Sequence, residues 1–410
     1  MESSSEHVSD HAESNLLVGF ELEFLMPRGD KEHHDSDPRW WLFPESSPKW
    51  RSADELASHT TCCPFPYTEE MYQPLLPIQE QIFQAFHNAG IAVLPRFMWV
   101  QKEVLERVEQ QGGKWMDNVA TRYQAARVDS DVTCEGRRYH GNSYPTSQYE
   151  WAGLEVQTRV MPASDILEPR TDSELDRMCQ ILRAKFRTQV NERCGVHVNV
   201  GCDAPRGMGR LQMNKAIALY WIIEPILYEV IAPHRRRSEH SFRISYDSVL
   251  AASRFKVSEK GENGDPWVVL HEETQAMQDC IPDCIQDLPG WNERASIARI
   301  FSATEPRLFE DLLISANSNL WRGGLACRSR GGKNVLEFRQ LEGSLDPGLV
   351  KLWARVCLSI VTAASLDASS FKEFLQKVYT KVMDSRYNRR KYPWQELFRD
   401  LGISEADIEQ

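Results

Sequence analysis

Five short segments of the chain place carboxylates, an imidazole or guanidinium groups at every second position. This alternation is typical of a β-strand, in which residues i and i+2 share one face about 7 Å apart. The small or apolar residues between them would line the opposite face. The alternating polar positions of segments 19–24, 126–132, 154–160, 196–200 and 336–340 are Glu21, Glu23, Arg127, Asp129, Asp131, Glu155, Gln157, Arg159, His197, Asn199, Glu337 and Arg339.

The composition of this polar face suits the binding of cations and anions. It holds six acids, three Arg, one His, one Asn and one Gln, and no Lys. Carboxylates and imidazole are ligands for Mg²⁺ or Mn²⁺, and Arg pairs with phosphate or carboxylate groups. On one sheet face, the acids would repel one another unless cations neutralised them. The face predicts a divalent metal and an anionic substrate, with an ordinary solvated sheet face as the alternative.

The overall composition sets limits on the class of protein. The chain has 410 residues and a formal net charge of −11, and 41% of the residues are hydrophobic, which is ordinary for a globular protein. Its acidity argues against a dedicated nucleic-acid binder. No run approaches 18 apolar residues, and residues 1–14 lack the features of a signal peptide, so we expect no membrane span and a cytoplasmic location.

Periodicity and capping signals place helices around the polar strands. We expect helices at about 77–90, 171–191 and 208–232, and two or three more after residue 346. Pro225 should kink or break the third of these. Strands without regular βαβ spacing predict an α+β fold with an antiparallel or mixed sheet.

Two further features lie outside the polar strands. The run Arg235–Arg237 fits either a solvated helix end or a phosphate-binding loop. Gly331-Gly332-Lys333 lacks the spacing of a phosphate loop and precedes a strand, so it predicts a turn.

The polar segments also carry a resemblance to a known family. In chain order the sequence reads GFELE at 19–23, VDS at 128–130, GLEV at 153–156, CGVHVNV at 194–200 and LEFRQLEGSLD at 336–346. These blocks resemble the amidoligase family, the carboxylate–amine ligases distantly similar to glutamine synthetase and glutamate–cysteine ligase. Each block alone is a weak signal, whereas five blocks in the family's order, across residues 17–365, form a specific pattern.

The resemblance implies a fold and a reaction. The fold is a glutamine-synthetase-like sheet whose concave polar face is the active site, with helices on the other face and long insertions at about 27–120 and 233–300. A disordered tail at 1–15 precedes the catalytic domain at 16–366, and helices at 367–410 pack on that domain. The reaction uses ATP and Mg²⁺ or Mn²⁺ to convert a small-molecule or peptide carboxylate to an acyl phosphate, which an amine attacks to form an amide.

The resemblance also implies roles for individual residues. The metal ligands would be Glu21, Glu23, Glu155, His197 and Glu337. The implied catalytic groups are Arg339, which would contact the reacting carboxylate or phosphate, and Asp129, which could act as general base toward the amine. The implied nucleotide contacts are Asn199, Arg159 and Arg235. Asn199 departs from the pattern, because the family often has a second His there.

Two other functions stay open at this point. The protein could be an inactive amidoligase-like binding protein, or a metal-dependent amide hydrolase that needs no ATP. A pure interaction module is a third, weaker alternative. The sequence leaves the oligomeric state open. If Glu337 belongs to a repelling acidic cluster, Glu337→Ala should abolish ATP-dependent activity and leave stability unchanged or raised.

Overall fold

A computed structural model gives the structure of the chain. It describes residues 15–28, 76–91, 93–95, 126–130, 134, 150–168, 172–238, 240–251, 274–286, 293–317, 322–330, 333–387 and 392–409. Residues 1–14 of the predicted tail, most of the 27–120 insertion, part of the 233–300 insertion and Asp131 lie outside the described residues.

The alternating segments join one sheet of eight strands in the described part of the chain. These are β1 (Leu16–Arg28), β2 (Val93–Pro95), β3 (Ala126–Ser130), β4 (Glu150–Gln157), β5 (Met161–Pro162), β6 (Gly195–Cys202), β7 (Leu325–Arg330) and β8 (Lys333–Glu342). Their order is β2-β3-β4-β1-β6-β8-β7, and β5 pairs with the start of β1. The β2–β3 pair is parallel and the other pairs are antiparallel.

Helices make up the second part of the fold, so the predicted α+β class is confirmed. They are α1 (Leu76–Asn88), α2 (Ser164–Leu167), α3 (Glu174–Lys185), α4 (Arg210–Val230), α5 (Ile244–Asp247), α6 (Gln275–Cys280), α7 (Glu293–Ser302), α8 (Pro306–Leu313), α9 (Pro347–Ser365), α10 (Ala368–Tyr387), α11 (Trp394–Asp400) and α12 (Glu405–Glu409). A single 3₁₀ turn, Arg235–Arg237, follows α4.

One hydrophobic core joins the sheet to the helices. The long helix α4 packs against α7, α9, α10 and α11, and α9 also contacts β6. The apolar faces of β1 and β6 enter this core with Phe20, Leu22, Phe24, Val196, Val198 and Val200. Because side chains alternate along a strand, the carboxylates and the imidazole of β1 and β6 lie on the opposite face.

Several predicted boundaries are wrong. The strand expected at 154–160 ends at Gln157, because the Thr158 hydroxyl accepts from Phe20 N at 3.0 Å and the chain then turns toward β5. The helix expected at 171–191 is shorter, and its capping box uses Ser173 and Asp176. Helix α4 runs on through Pro225. The segment that we expect to be an insertion at about 233–300 contains α5, α6 and the start of α7.

One helix in the described residues, α9, is long and apolar enough to cross a membrane by length and composition alone. It begins just after residue 346, as the sequence predicted, and the structure gives it Asp346 as N-cap and a proline in the first turn. Its buried residues belong to the hydrophobic core with β6 and α4. A buried core helix meets the same length and hydropathy criteria as a membrane span, and its contacts here are those of a core helix.

Candidate metal centre

Strand register arranges the polar side chains in cross-strand rows. Glu21 on β1 pairs directly with His197 on β6, and Glu23 pairs with Glu155 on β4. Asp129 on β3 pairs with Glu155 from the other side. Directly opposed side chains have Cβ atoms about 5 Å apart. One row therefore brings together three acids, and the neighbouring row brings together Glu21 and His197.

The His197 imidazole lies at the centre of the cluster. Its Nδ1 is 3.0 Å from Glu21 Oε2 and 3.6 Å from Glu337 Oε1, and its Nε2 is 3.4 Å from Glu23 Oε1. Of the whole side chain, 3% is exposed. Each ring nitrogen thus faces a carboxylate inside the protein.

The surroundings favour the neutral form of this imidazole. Burial lowers the pKa of His197 and the Arg339 guanidinium lowers it further, whereas the hydrogen bond to Glu21 raises it. A neutral imidazole carries one N–H and one lone pair. One of the two ring nitrogens therefore points its lone pair at a carboxylate oxygen, and a cation between the two groups would remove that conflict.

Glu21, His197 and Glu337 could hold a metal ion, and they form the one such group of three His, Cys, Asp or Glu residues found among the described residues. Their ligand atoms lie within 4.8 Å of one another, and all three residues are buried. Two carboxylates and one neutral imidazole form a donor set suited to a divalent cation. The residues present therefore fit a metal ion at this place.

Glu337 has two arginine partners. Arg328 Nε donates to Glu337 Oε2 at 2.6 Å, and Arg339 Nη1 donates to Oε1. The Glu337 side chain is fully buried. Arg328 also reaches Glu310 on α8 at 3.1 Å, so it joins the helix to the sheet. Arg328 thus holds one oxygen of Glu337, and the other oxygen faces His197.

Glu23 is fixed by the start of β6. Gly195 N donates to Glu23 Oε2 at 2.6 Å. A Cβ atom at residue 195 would lie 2.7 Å from Arg235 Nη2 and 3.2 Å from Glu23 Oε2. Only glycine allows this close approach. Strand β6 thus positions Glu23 with its backbone and His197 with a side chain.

Asp129 and Glu155 lie in the acidic row, beside a chain of polar contacts. Arg127 donates to Gln157, and Gln157 donates to Glu155. Arg127 Nη2 is also 3.6 Å from Asp129 Oδ2. The Asp129 side chain is 16% exposed, which leaves this end of the cluster more accessible than Glu337. Glu155 is held by its neighbour Gln157 and lies one strand from Glu23.

Two of the predicted nucleotide contacts, Arg159 and Arg235, have protein partners in the structure. Arg159 follows the end of β4 and forms an ion pair with Glu174 of α3 at 2.8 Å. Arg235 is fully buried, so a solvated helix end is the wrong interpretation for it. It donates to the carbonyls of Arg339 at 2.7 Å and Arg193 at 3.4 Å. Arg236 instead caps α4 through the Glu229 and Ile231 carbonyls.

Sequence reasoning missed two members of this network, Arg328 and Glu310. A signal for Arg328 existed, because two glycines between Arg330 and Lys333 are typical of a two-residue hairpin turn. Gly331 and Gly332 lie outside the described residues, but Arg330 pairs with Lys333 at the end of β7 and the start of β8. The same hairpin register places Arg328 on the polar face of Glu337. Glu310 comes from a helix far away in sequence, and no local pattern marks it.

Comparison with known proteins does not assign the chain to a family. No family model matches the chain, and no curated protein matches it.

Proposed function

We propose that this protein is an ATP- and Mg²⁺-dependent carboxylate–amine ligase that forms an amide through an acyl phosphate. The observation that carries the proposal is the convergence of Glu21, His197 and Glu337, from three of the five resembling blocks, on one buried group. A glutamine-synthetase-like fold with a concave polar face is part of the same proposal. An antiparallel sheet with acids on one face and a helical core on the other supports it.

The cation would be held by Glu21, His197 and Glu337, with Glu23 and Glu155 in the adjacent row. A bound Mg²⁺ or Mn²⁺ neutralises negative charge where the carboxylate and the ATP phosphates approach each other. The chain itself supplies the orientation of the ligands. Gly195 N fixes Glu23, Arg328 fixes Glu337, and Asn199 Nδ2 fixes Glu21 at 3.2 Å.

Arg339 is the group we assign to the reacting carboxylate or phosphate. Its Nη1 contacts Glu337 and lies 3.4 Å from His197 Nδ1, and its Nε donates to the His240 carbonyl at 3.2 Å. Arg235 donates a hydrogen bond to the backbone carbonyl of Arg339. The guanidinium is therefore held beside the metal centre with a fixed orientation. Its remaining N–H groups can donate hydrogen bonds to the oxygen atoms of an anionic substrate.

Asp129 is the group we assign to the amine. It lies at the accessible end of the acidic row, paired across the sheet with Glu155. An attacking amine must lose a proton, and a carboxylate within reach can accept it. The acyl phosphate would also need protection from water. The insertions at about 27–120 and 233–300 are the parts of the chain that we assign to this protection.

The experiment that tests this function is ADP release from Mg–ATP by the purified protein. Pooled carboxylic acids, amino acids, short peptides and polyamines supply the carboxylate and the amine. Glu21→Gln and Glu23→Ala are the site variants, and Glu373→Ala, which changes an exposed acid on α10, is the matched control. We expect the pool to stimulate ADP release by the wild type and by the control. In both site variants the rate of ADP release should fall at least about 100-fold.

The other outcomes separate the alternatives. No ADP release and no binding of Mg–ATP by calorimetry would favour an inactive binding protein. Metal-dependent cleavage of amides in the peptide pool without ATP would favour a hydrolase. ADP release that is equal in Glu21→Gln and in the wild type would place the ATP chemistry outside this cluster and contradict the proposal.

A further inference from the structure

Asn199 has one polar atom without a partner, at the edge of the metal centre. Its Oδ1 is buried and accepts no hydrogen bond from the described residues. Buried carbonyl oxygens are almost always paired, because an unpaired one loses its contact with water and gains nothing. An isolated buried acceptor inside an acidic cluster therefore needs a specific explanation.

The orientation of this amide is fixed by chemistry. Asn199 Nδ2 donates to Glu21 Oε1 at 3.2 Å. An ionised carboxylate can only accept, so the nitrogen of the amide must face Glu21 and the oxygen must point away from it. Exchanging the two amide atoms would place oxygen against oxygen. The free acceptor is thus a property of this arrangement and does not depend on how the amide is assigned.

Strand register places Asn199 beside two of the proposed metal ligands, Glu337 and His197. Asn199 is the direct partner of Glu337 across β6 and β8, and its other partner, Gly19 on β1, contributes no side chain. Asn199 follows His197 by two residues on the same strand, so both side chains lie on the same face. Glu21, His197 and Glu337 therefore surround Asn199 on this face.

We propose that Asn199 Oδ1 is a further ligand of the cation held by Glu21, His197 and Glu337, and that this oxygen donor lowers the affinity of the site for Zn²⁺ relative to an imidazole at the same position. An amide oxygen is a hard, neutral donor of the kind that Mg²⁺ and Mn²⁺ accept. With it the site has three oxygen-bearing residues and one imidazole. The inference rests on the cation site of the proposed function.

The test is equilibrium binding of Mn²⁺ and Zn²⁺ to chelator-treated full-length protein by calorimetry. The variants are Asn199→Ala and Asn199→His. The matched control is Asn334→Ala, because Asn334 lies in the same sheet and donates to the Met208 carbonyl, away from the cluster. We expect Asn199→Ala to weaken Mn²⁺ binding at least tenfold, and the control to bind like the wild type.

Asn199→His separates a ligand from a residue that only orients Glu21. If residue 199 is a ligand, the added imidazole tightens Zn²⁺ binding at least tenfold while Mn²⁺ binding weakens, because imidazole suits Zn²⁺ better. If Asn199 only orients Glu21, both affinities fall together, and that result overturns the inference. Unchanged Mn²⁺ binding in Asn199→Ala also overturns it.

These outcomes are distinct from a failure of the ligase function. Absence of Mn²⁺ binding by the wild type would overturn the cation site and this inference with it. Tight Mn²⁺ binding that does not depend on Asn199 would leave the cation site intact. Whether the protein releases ADP from ATP is decided in a separate assay and does not enter the binding data.

Discussion

At the scale of single residues, the structure changes the electrostatic account of Glu337. The sequence gives an acid on a face that holds five other acids, and this pattern predicts repulsion. In the structure both oxygens of Glu337 accept from guanidinium groups, one from Arg328 and one from Arg339. The expectation that Glu337→Ala leaves stability unchanged or raised rests on a wrong premise, because the substitution would remove the carboxylate that two partly buried guanidinium groups share.

Glu337→Ala should therefore destabilise the protein. Removing the buried carboxylate leaves two partly buried guanidinium groups with one partner fewer. We expect this to cost about 3 kcal/mol of the free energy of unfolding, the lower end for a buried ion pair, because Arg328 keeps Glu310. Glu310→Ala is the matched control, because Glu310 contacts the same Arg328 from a side chain that is 38% exposed. Its loss should cost below about 1 kcal/mol.

Equilibrium unfolding in guanidinium measures both variants against the wild type. Equal, small effects of Glu337→Ala and Glu310→Ala would show that the Arg328–Glu337 pair contributes no more than a surface pair. Such a result would contradict the network described above.

Single residues also show the limits of prediction from the sequence. Glu21, Glu23, His197, Glu337 and Arg339 were identified from alternation and from the resembling blocks, since both are local patterns. The burial of Arg235 against the backbone of Arg339 could not be predicted, because it depends on how a segment after α4 folds over β8. The partners of a charged side chain are likewise a property of the tertiary structure.

At the scale of elements, alternation predicted the central strands but not their register. Four of the five polar segments became strands close to the expected bounds, namely β1, β3, β6 and β8. The β6–β8 pairing shifts between Val196 and Val198, so Arg339 and Gln340 both lie opposite His197. A bulge of this kind re-aims side chains next to a site. The sequence of β8 alone gives no sign of it.

Helix α4 carries a buried acid that stabilises the fold near the candidate metal centre. The Glu224 carboxylate accepts from Ile244 N and Ser245 N, each at 2.8 Å. It thereby anchors the segment that follows the His240 carbonyl, which in turn accepts from Arg339. Burial raises the pKa of Glu224 from 4.5 to about 7, although the two backbone N–H groups and Arg243 lower it.

Glu224 should make the stability of the fold depend on pH. The raised pKa means that the folded chain holds this proton up to about pH 7, whereas the unfolded chain releases it near 4.5. This contribution to stability is fully present below pH 4.5 and is lost as the pH rises toward and through 7. Between pH 5 and 7.5 the loss should be roughly 2 kcal/mol.

Comparison of the wild type with Glu224→Gln isolates the contribution of Glu224 to the pH dependence of stability, because the two proteins share all other titrating groups. Equilibrium unfolding at pH 5 and pH 7.5 should show a larger loss of stability in the wild type than in the variant. Parallel pH profiles for the two proteins would show that Glu224 does not titrate in this range.

At the scale of the whole molecule, the sequence predicted the α+β class and the strand face on which Glu21, Glu23, His197 and Glu337 lie. It did not predict the packing of the helices around α4, because helical periodicity gives an apolar face but not its partner. The C-terminal helices illustrate this. The pattern after residue 346 indicated two or three helices. The described residues of this region form four, of which α9, α10 and α11 pack on α4.

The packing of the whole molecule holds the polar side chains in place and sets the balance of charge on the polar face. A helical core covers one side of the sheet, and Arg235, the His240 carbonyl and Arg328 support residues of the other side. The net charge of the chain is −11, yet the most buried acid of the cluster is neutralised by arginines. A cation held by Glu21, His197 and Glu337 would offset the negative charge of the acids that these arginines do not contact.

The most direct test of this account is anomalous diffraction from crystals of the protein grown with Mn²⁺ and a non-hydrolysable ATP analogue. The account predicts an anomalous peak bonded to Glu21, His197 and Glu337, with the triphosphate of the analogue beside it. A map without a peak at these residues, in which Arg328 and Arg339 still hold Glu337, would show that the cluster is a structural ion network and would contradict the central claim.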